Sequence, residues 1–335
     1  MSLPILPDDA PVAALRGRLA RYSLRVSVLE QCQLDCGYCR PGSTTSPTER
    51  SRWLTAEHHA RLAPLLLQHG VRRVRFTGGE PTLRADLVDV VAVWAQAVRA
   101  ADLAVPLGLT TNGLRVGPLL EPLRAAGLDG VTIHLDTLRA DRIEALMGNG
   151  ANVELALAAA EHARACGLLV KFNMVVQRGK NDDELHDFVD VGQRLGAEVR
   201  FIEQMNTGSA PAHVASTFIS GAQIVQLLRA APHGRRHDSD PAALFVDDAG
   251  RTFGVIASDT EPFCGACDRL RLTADGRVRG CLYEAGGVPL GAALRDGAST
   301  DELAALLSTA LDGKRSHHPS LAEARVPFSM ADIGG

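Results

Sequence analysis

Between Leu24 and Glu203, short β-branched runs alternate with stretches of helical period, the pattern of repeated βα units around a parallel sheet. Strands are predicted at about Leu24–Leu29, Val74–Thr77, Pro106–Thr110, Gly130–Leu135, Val170–Val176 and Val199–Glu203. The clearest helix lies between the last two: Asn181 is a candidate cap, Glu184 completes a capping box, Leu185, Phe188, Val189, Gly192 and Leu195 share one face, and Gly196 stops it. Another starts near Asn152, carries Val153, Leu157, Ala160, Ala163 and Cys166 along its inner stripe, and ends at Gly167. Leu62, Leu65 and Leu66 keep helical spacing around Pro64, where a kink or an early start is expected.

The texture changes after Asn206. Small and polar residues lead into a helix at about Ser220–Ala230 and a polar loop from Pro232 to Pro241. Strand-like pieces then follow at Leu244–Val246, Thr252–Ile256, Arg269–Leu272 and Val278–Leu282, with a final helix near Thr300–Leu311. The expected organisation is an N-terminal extension (residues 1–20), a βα barrel (21–206) and an α+β module (207–335).

A chain of 335 residues, 46% hydrophobic and 22% charged, buries a large core, and none of its apolar runs approaches the ~20 residues that cross a bilayer. No membrane contact is expected. The net charge of −4 argues against a nucleic-acid coat but leaves room for an anionic small molecule held by arginines gathered in one cleft. The first 20 residues have no secretory pattern, so a cytoplasmic protein with free or metal-bound thiols is expected.

The seven cysteines fall as three, three and one. Cys32-x3-Cys36-x2-Cys39 puts three thiols on one tight loop after the first strand, suited to three corners of a cubic iron–sulfur cluster whose fourth iron has no protein ligand. Structural zinc would normally require a fourth ligand, which no nearby His supplies. Thr77-Gly78-Gly79-Glu80-Pro81 ends the second strand. Cys264-x2-Cys267-x13-Cys281 offers three more thiols, read either as a zinc ribbon missing a ligand or as a second open cluster. Within it, Arg269 and Arg271 stand at i, i+2, so both point to one face of a strand. Cys166 reads as a small buried hydrophobe. Arg25, Arg73, Arg75 and Lys171 are basic residues in apolar strands, costly places for charge unless an anion binds there; Arg73 is the one most readily read as outward-facing.

The first cysteine loop, with Tyr38 before its last Cys, and the Gly-Gly-Glu element resemble the radical S-adenosylmethionine superfamily. Together with the second cysteine spacing and the terminal Gly334-Gly335, the chain from about Leu24 onward resembles the GTP 3′,8-cyclase family that opens molybdenum cofactor biosynthesis. The resemblance implies a partial (βα)6 TIM-like barrel with a C-terminal second-cluster module, two [4Fe–4S] clusters and S-adenosyl-L-methionine. It implies conversion of GTP to (8S)-3′,8-cyclo-7,8-dihydroguanosine 5′-triphosphate. By the same resemblance, cofactor contacts fall on Tyr38, Gly79, Glu80, Asn112, His134 and Met205, and GTP contacts on Arg25, Arg73, Arg75, Thr110, Lys171, Arg200, Arg269 and Arg271. Gly334 and Gly335 would reach into the site. A low-potential electron donor and the cyclic pyranopterin monophosphate synthase are the implied partners, and a homodimer is left open.

Three positions depart from the family pattern: His134 replaces a Ser before Leu135-Asp136, Asp268 replaces an Asn, and Arg40 replaces a Met. Rival readings are a two-cluster radical enzyme acting on another nucleotide or nucleoside or on a peptide, and a non-catalytic zinc or iron–sulfur module.

Overall fold

β1 (Ser23–Ser27), β2 (Arg73–Thr77), β3 (Leu107–Thr111), β4 (Gly130–His134), β5 (Leu169–Val176) and β6 (Glu198–Glu203) lie side by side in chain order, and every pairing among them is parallel. This computed structural model describes residues 22–39, 49–68, 70–205, 211–284 and 286–312. The N-terminal extension, Arg40 and the Gly334-Gly335 tail lie outside the described residues.

The two-residue period of each strand sorts its side chains. Leu24, Val26, Val74, Phe76, Leu107, Leu109, Val131, Ile133, Val170, Phe172, Val199 and Phe201 are buried on the outer face. They pack under a helical layer that includes α1 (Ala56–Gln68), α2 (Leu87–Ala100), α3 (Leu120–Ala126), α4 (Ile143–Met147), α5 (Val153–Ala165) and α6 (Leu185–Leu195). The inner face carries instead Arg25, Arg75, Thr110, Thr132, His134, Asn173 and Arg200. An enclosed face so rich in charge cannot be an ordinary core, and it lines a cavity.

The segment beyond residue 206, expected as an appended module, extends the same sheet at both edges. After α7 (Pro211–Thr217) and α8 (Gly221–Leu227), β7 (Ala231–Gly234), β8 (Ala243–Val246) and β9 (Thr252–Ile256) join the β6 edge, where β9 runs parallel to β6. β10 (Arg269–Leu272) then pairs parallel with β1, and β11 (Val278–Arg279) follows it, before α9 (Leu290–Arg295) and α10 (Thr300–Asp312). Residues 257–268 therefore pass from β9, third from one edge of the eleven-stranded sheet, to β10, second from the other. On the inner face, Arg75 on β2 reaches over Gly108 of β3, and its Nη1 donates to Thr132 Oγ1 on β4 at 2.6 Å.

Local expectations were met unevenly. Asn152 caps α5, its side chain accepting from Leu155 N at 2.7 Å. Asn181 caps nothing: Gln177 N donates to its Oδ1 at 2.7 Å, and its Nδ2 donates to Asp136 O and Val175 O. Glu184, expected in a capping box, is fully buried and accepts from Thr137 Oγ1 and Leu138 N. The two residues staple the ends of β4 and β5 together, and α6 starts only at Leu185. α1 runs through Pro64 from Ala56 to Gln68. Cys166 is half-buried rather than buried, beside Glu121 and His162 on the outer helical layer. Arg73 shares the inner face with Arg75 two residues on, which corrects its reading as outward-facing.

Candidate active site

The first cysteine loop and the Gly-Gly-Glu turn are built against each other. Gly79 N donates to Leu29 O at 2.8 Å and Glu80 N to Gln31 O at 2.7 Å, pinning the turn to the chain just before Cys32. A Cβ on Gly78 would stand 2.5 Å from Leu29 O, and one on Gly79 2.2 Å from Gln31 O, so both glycines are required for this approach. From beneath, Gly148 caps α4 at φ 89° against Asp35, where a Cβ would meet the backbone N at 2.8 Å. Cys36 Sγ contacts Met147 O at 3.5 Å.

Glu80 is almost fully buried and joins this turn to the end of β3. Its Oε1 accepts from Thr82 N at 3.1 Å, Thr82 Oγ1 at 2.6 Å and Thr111 Oγ1 at 2.7 Å, and its Oε2 accepts from Asn112 N at 2.7 Å. Burial pushes its carboxyl up while these four donors pull it down. A carboxylate with four donors is close to saturated, so its evident work is to fix Asn112. The Asn112 amide in turn faces the cysteine loop, with Nδ2 4.0 Å from Cys32 Sγ and Oδ1 3.4 Å from Gln33 Nε2.

At the end of β4, Tyr38, His134 and Asp136 interlock. Tyr38 OH donates to Asp136 Oδ2 at 2.6 Å and also contacts His134 Nε2, which lies 3.2 Å from the same carboxylate oxygen. Val175 N donates to the other oxygen at 2.8 Å. Burial pulls His134 down, but Asp136 outweighs it and holds the imidazole above its usual value. Burial, then Asp136, Cys39 and Cys32, push the Cys36 thiol up.

Cys264 opens a single 3-10 turn, Cys267 follows it, and Cys281 comes after β11. All six thiols line one cavity of about 310 Å³. Among its lining residues His134 is the sole additional nitrogen-bearing metal ligand type, and its Nε2 is engaged by Tyr38 and Asp136. Each cysteine group thus offers three thiolates and no free imidazole, which suits a cluster bound through three thiolates with one iron open better than a four-ligand zinc site.

Five arginines share that cavity: Arg25, Arg75, Arg200, Arg269 and Arg271. Burial, followed by Arg271, Arg269 and Arg75, pushes Arg25 well below its usual range. Arg271 is lowered to about 9 by burial and then Arg269, and Arg75 to about 10 by burial and then Arg200. Among the described residues, no carboxylate lies within ion-pair distance of Arg25 or Arg75. Arg269 stacks on Phe263, 4.6 Å from the ring centre. Arginines crowded and desolvated in one cavity, two of them with no described carboxylate at ion-pair distance, are a receptor for a polyanion.

Thr110, Gly79, Glu80, Asn112, His134, Tyr38 and Met205 also line the cavity; Lys171 and Arg73 do not. Lys171 sits lower on the inner face, bound to Glu198 at 2.9 Å. Glu198 also holds Arg200 at 2.6 Å and Arg236 at 2.9 Å. Burial opposes its ionisation, yet Arg200, Arg236 and Lys171 bring its carboxyl down to about 2. Sequence reasoning missed Glu198, because an acid at a strand start reads as surface. Glu203, at the end of β6, accepts from Gly221 N at 2.5 Å and from Asp259 N and Thr260 N at 3.2 Å, tying β6 to the loop that leads to Cys264. Polar residues at inner-facing strand positions were the available signal for Thr132 and Asn173. Asp268 is pushed up by burial, against its hydrogen bond with Ser239 and the pull of Arg73 and Arg269.

Residues 26–191 match the model of the radical SAM superfamily, and residues 197–320 match Molybdenum Cofactor Synthesis C. The chain is 36% identical over 320 residues to GTP 3′,8-cyclase 1 of Mycobacterium tuberculosis, covering 92% of this chain and 89% of the relative. It is 38% identical to the GTP 3′,8-cyclase of Corynebacterium glutamicum, over 90% of this chain and 83% of the relative. With that of Heliobacterium modesticaldum it shares 37%, over 94% and 97%. Among solved structures it resembles Streptococcus suis SuiB bound to S-adenosylmethionine, with TM-score 0.54 and 15% identity, over 82% of this chain and 64% of that one. SuiB bound to its precursor peptide SuiA gives TM-score 0.52 at 18% identity, over 68% of this chain and 53% of that one. These structural likenesses bear on the fold alone, a partial barrel of the radical SAM type. With both family models matched in order and more than a third of residues identical over nine-tenths of its length, the chain belongs to the GTP 3′,8-cyclase family of radical S-adenosylmethionine enzymes.

Proposed function

We propose that this chain is a lyase that converts GTP to (8S)-3′,8-cyclo-7,8-dihydroguanosine 5′-triphosphate, the first step of molybdenum cofactor biosynthesis. The observation that carries the reading is one cavity lined at once by two cysteine triads and five arginines. Its resident cofactors are two [4Fe–4S] clusters and S-adenosyl-L-methionine. When bound, the first cluster and S-adenosylmethionine supply the one-electron chemistry that abstracts a ribose hydrogen.

The rest is orientation by this chain's own residues. Cys32, Cys36 and Cys39 hold the first cluster on a loop fixed by Gly78, Gly79 and the Tyr38–Asp136 bond. The backbone at Gly79, with Asn112, His134 and Met205, forms the cofactor end of the cavity, and Glu80 sets Asn112. Cys264, Cys267 and Cys281 hold the second cluster, and Arg269 and Arg271 flank the purine. Arg25, Arg75, Arg200 and Thr110 receive the nucleotide; Lys171 and Arg73 lie farther down the inner face, where they extend the positive field toward the phosphates. The Gly334-Gly335 tail completes the site in this reading. Residues 21–206 form the barrel with the first cluster and much of the nucleotide site, and 207–335 the second-cluster module with its arginines and the Gly-Gly tail. A low-potential donor feeds the first cluster, the product passes to the cyclic pyranopterin monophosphate synthase, and the thiol chemistry suits the cytoplasm.

Anaerobic incubation with GTP, S-adenosylmethionine and dithionite tests the proposal. Formation of 5′-deoxyadenosine together with the cyclised nucleotide is expected. Formation of 5′-deoxyadenosine without any cyclised nucleotide overturns GTP as substrate, and failure to take up about eight irons per chain overturns the two-cluster reading.

A further inference from the structure

The inner face of β5 carries Lys171, Asn173 and Val175 in succession. Lys171 ends in the ion pair with Glu198, and the backbone N–H of Val175 is taken by Asp136. The side chain of Asn173 has no such commitment. It lines the cavity, yet its amide makes no hydrogen bond with any described residue, and its Oδ1 is buried. A buried amide oxygen left unpaired is costly when dry, and this one belongs to a side chain in the wall of a cavity that a ligand can enter.

Strand register shows which part of the ligand reaches it. Asn173 stands opposite His134 on β4 and opposite Arg200 on β6. One step lower, Lys171 pairs in register with Thr132 and Glu198. On one side of the amide, then, are the basic groups that receive phosphate; on the other is the His134–Tyr38–Asp136 lock beneath the first cysteine loop. In a nucleoside triphosphate the group one bond beyond the phosphates is the ribose. An amide offers a donor and an acceptor side by side, and a half-turn of its terminal torsion exchanges them. The vicinal hydroxyls of a ribose present the matching pair.

We propose that Asn173 is a substrate-positioning residue that hydrogen-bonds the 2′,3′-diol of the bound nucleoside triphosphate and so sets the ribose at the height where its hydrogen is removed. This rests on the GTP reading above and deepens it. The diol contact also gives the site a means of preferring ribonucleotides to deoxyribonucleotides, since the base and phosphates are common to both.

The test crosses enzyme and substrate variants. Dissociation constants of GTP, 2′-deoxy-GTP and 3′-deoxy-GTP are measured anaerobically on the wild-type holoenzyme and on Asn173→Ala, with S-adenosylmethionine affinity alongside. Loss of the bonded hydroxyl is expected to weaken wild-type binding about tenfold and Asn173→Ala binding by less than twofold. Asn173→Ala should also raise the ratio of 5′-deoxyadenosine to cyclised nucleotide, because a misplaced ribose uncouples the two. Each ratio is taken within one enzyme, so general loss of holoenzyme cancels, and Asn173→Ser replaces the alanine variant should that fail to assemble. Equal deoxy penalties in both enzymes, for both analogues, overturn the inference while leaving GTP as substrate. A loss confined to S-adenosylmethionine affinity also overturns it, assigning the amide to the cofactor's ribose. A wild type that neither binds nor cyclises GTP refutes the substrate reading itself.

Discussion

Replacing Gly79 by alanine should empty the first cluster site while leaving the barrel standing. The added Cβ would sit 2.2 Å from Gln31 O, 2.5 Å from Gln31 C and 2.5 Å from Glu30 O, all backbone atoms with no flexible end to swing aside. Ordinary contact begins near ~3.4 Å, so the loop must retreat by about 1 Å. Gln31 is the residue before Cys32, and metal–ligand distances tolerate only about 0.2 Å, so the retreat carries Cys32 out of ligand range. Overpacking costs roughly 1–3 kcal/mol. Straining the bonds of Gly79 N and Glu80 N to the loop adds about 1 kcal/mol each. The total of about 3–5 kcal/mol is local, because the strands beneath do not depend on that turn. After anaerobic reconstitution and gel filtration, iron should fall from about eight to about four per chain, with S-adenosylmethionine cleavage lost. Gly37→Ala is the control: it lies in the same loop, no atom stands within 4 Å of its added Cβ, and its φ is not in the left-handed region. A Gly79→Ala protein with full iron and wild-type stability would refute the argument that this close approach requires glycine.

Arg25→Met removes a buried cation that has no ion-pair partner among the described residues; it should raise stability to denaturant by roughly 1–2 kcal/mol and weaken GTP binding by about 10- to 100-fold. Glu80→Gln keeps the side chain's shape but turns an NH2 toward donors. It should cost roughly 2–4 kcal/mol in denaturant unfolding and weaken S-adenosylmethionine, with GTP affinity unchanged. His59 is buried and depressed to about 3, chiefly by burial and then by Arg84, so the unfolded chain gains a proton below about 6.5 that the folded chain refuses. Stability should therefore fall by about 2 kcal/mol between pH 8 and pH 5, and His59→Gln should flatten that slope in denaturation measured across this window; an unchanged slope refutes the assignment.

What could be read from the sequence was what is local. The six barrel strands were predicted within a residue or two because β-branched runs and the βα alternation encode them directly. The thiols were legible as spacing, and the basic residues as charges misplaced in apolar strands. The return of the chain to both sheet edges was not, because β9 meets β6 and β10 meets β1 through pairings that no local pattern marks. β7 was missed for the same reason: Ala-Pro-His-Gly has no strand propensity and is held at the edge by β8 alone. Asn181 and Glu184 mimicked a capping box while bonding residues 45 and 47 positions away. Glu198 looked like a surface acid because the three cations around it come from β5, β6 and the 235–240 loop.

The crossing at residues 257–268 explains why the two halves must fold as one. Cys264 and Cys267 lie on it, so the second cysteine group is placed only when β9 has docked on β6 and β10 on β1. Glu203 fixes the start of the crossing through Asp259 and Thr260, while the bond from Ser23 N to Asp268 O fixes its end. The arginines follow the same geometry: Arg25 and Arg271 are register partners on β1 and β10, and Arg75 neighbours Arg25 on β2. Their mutual repulsion opposes closure, and no described carboxylate forms an ion pair with Arg25 or Arg75. A polyanion would supply that relief, so substrate binding and barrel closure draw on the same interaction. The free energy lost in gathering the cations is recovered when the triphosphate enters, which predicts that GTP protects residues 257–268 and the β10–β1 pairing from amide exchange, whereas guanosine, lacking phosphate, does not.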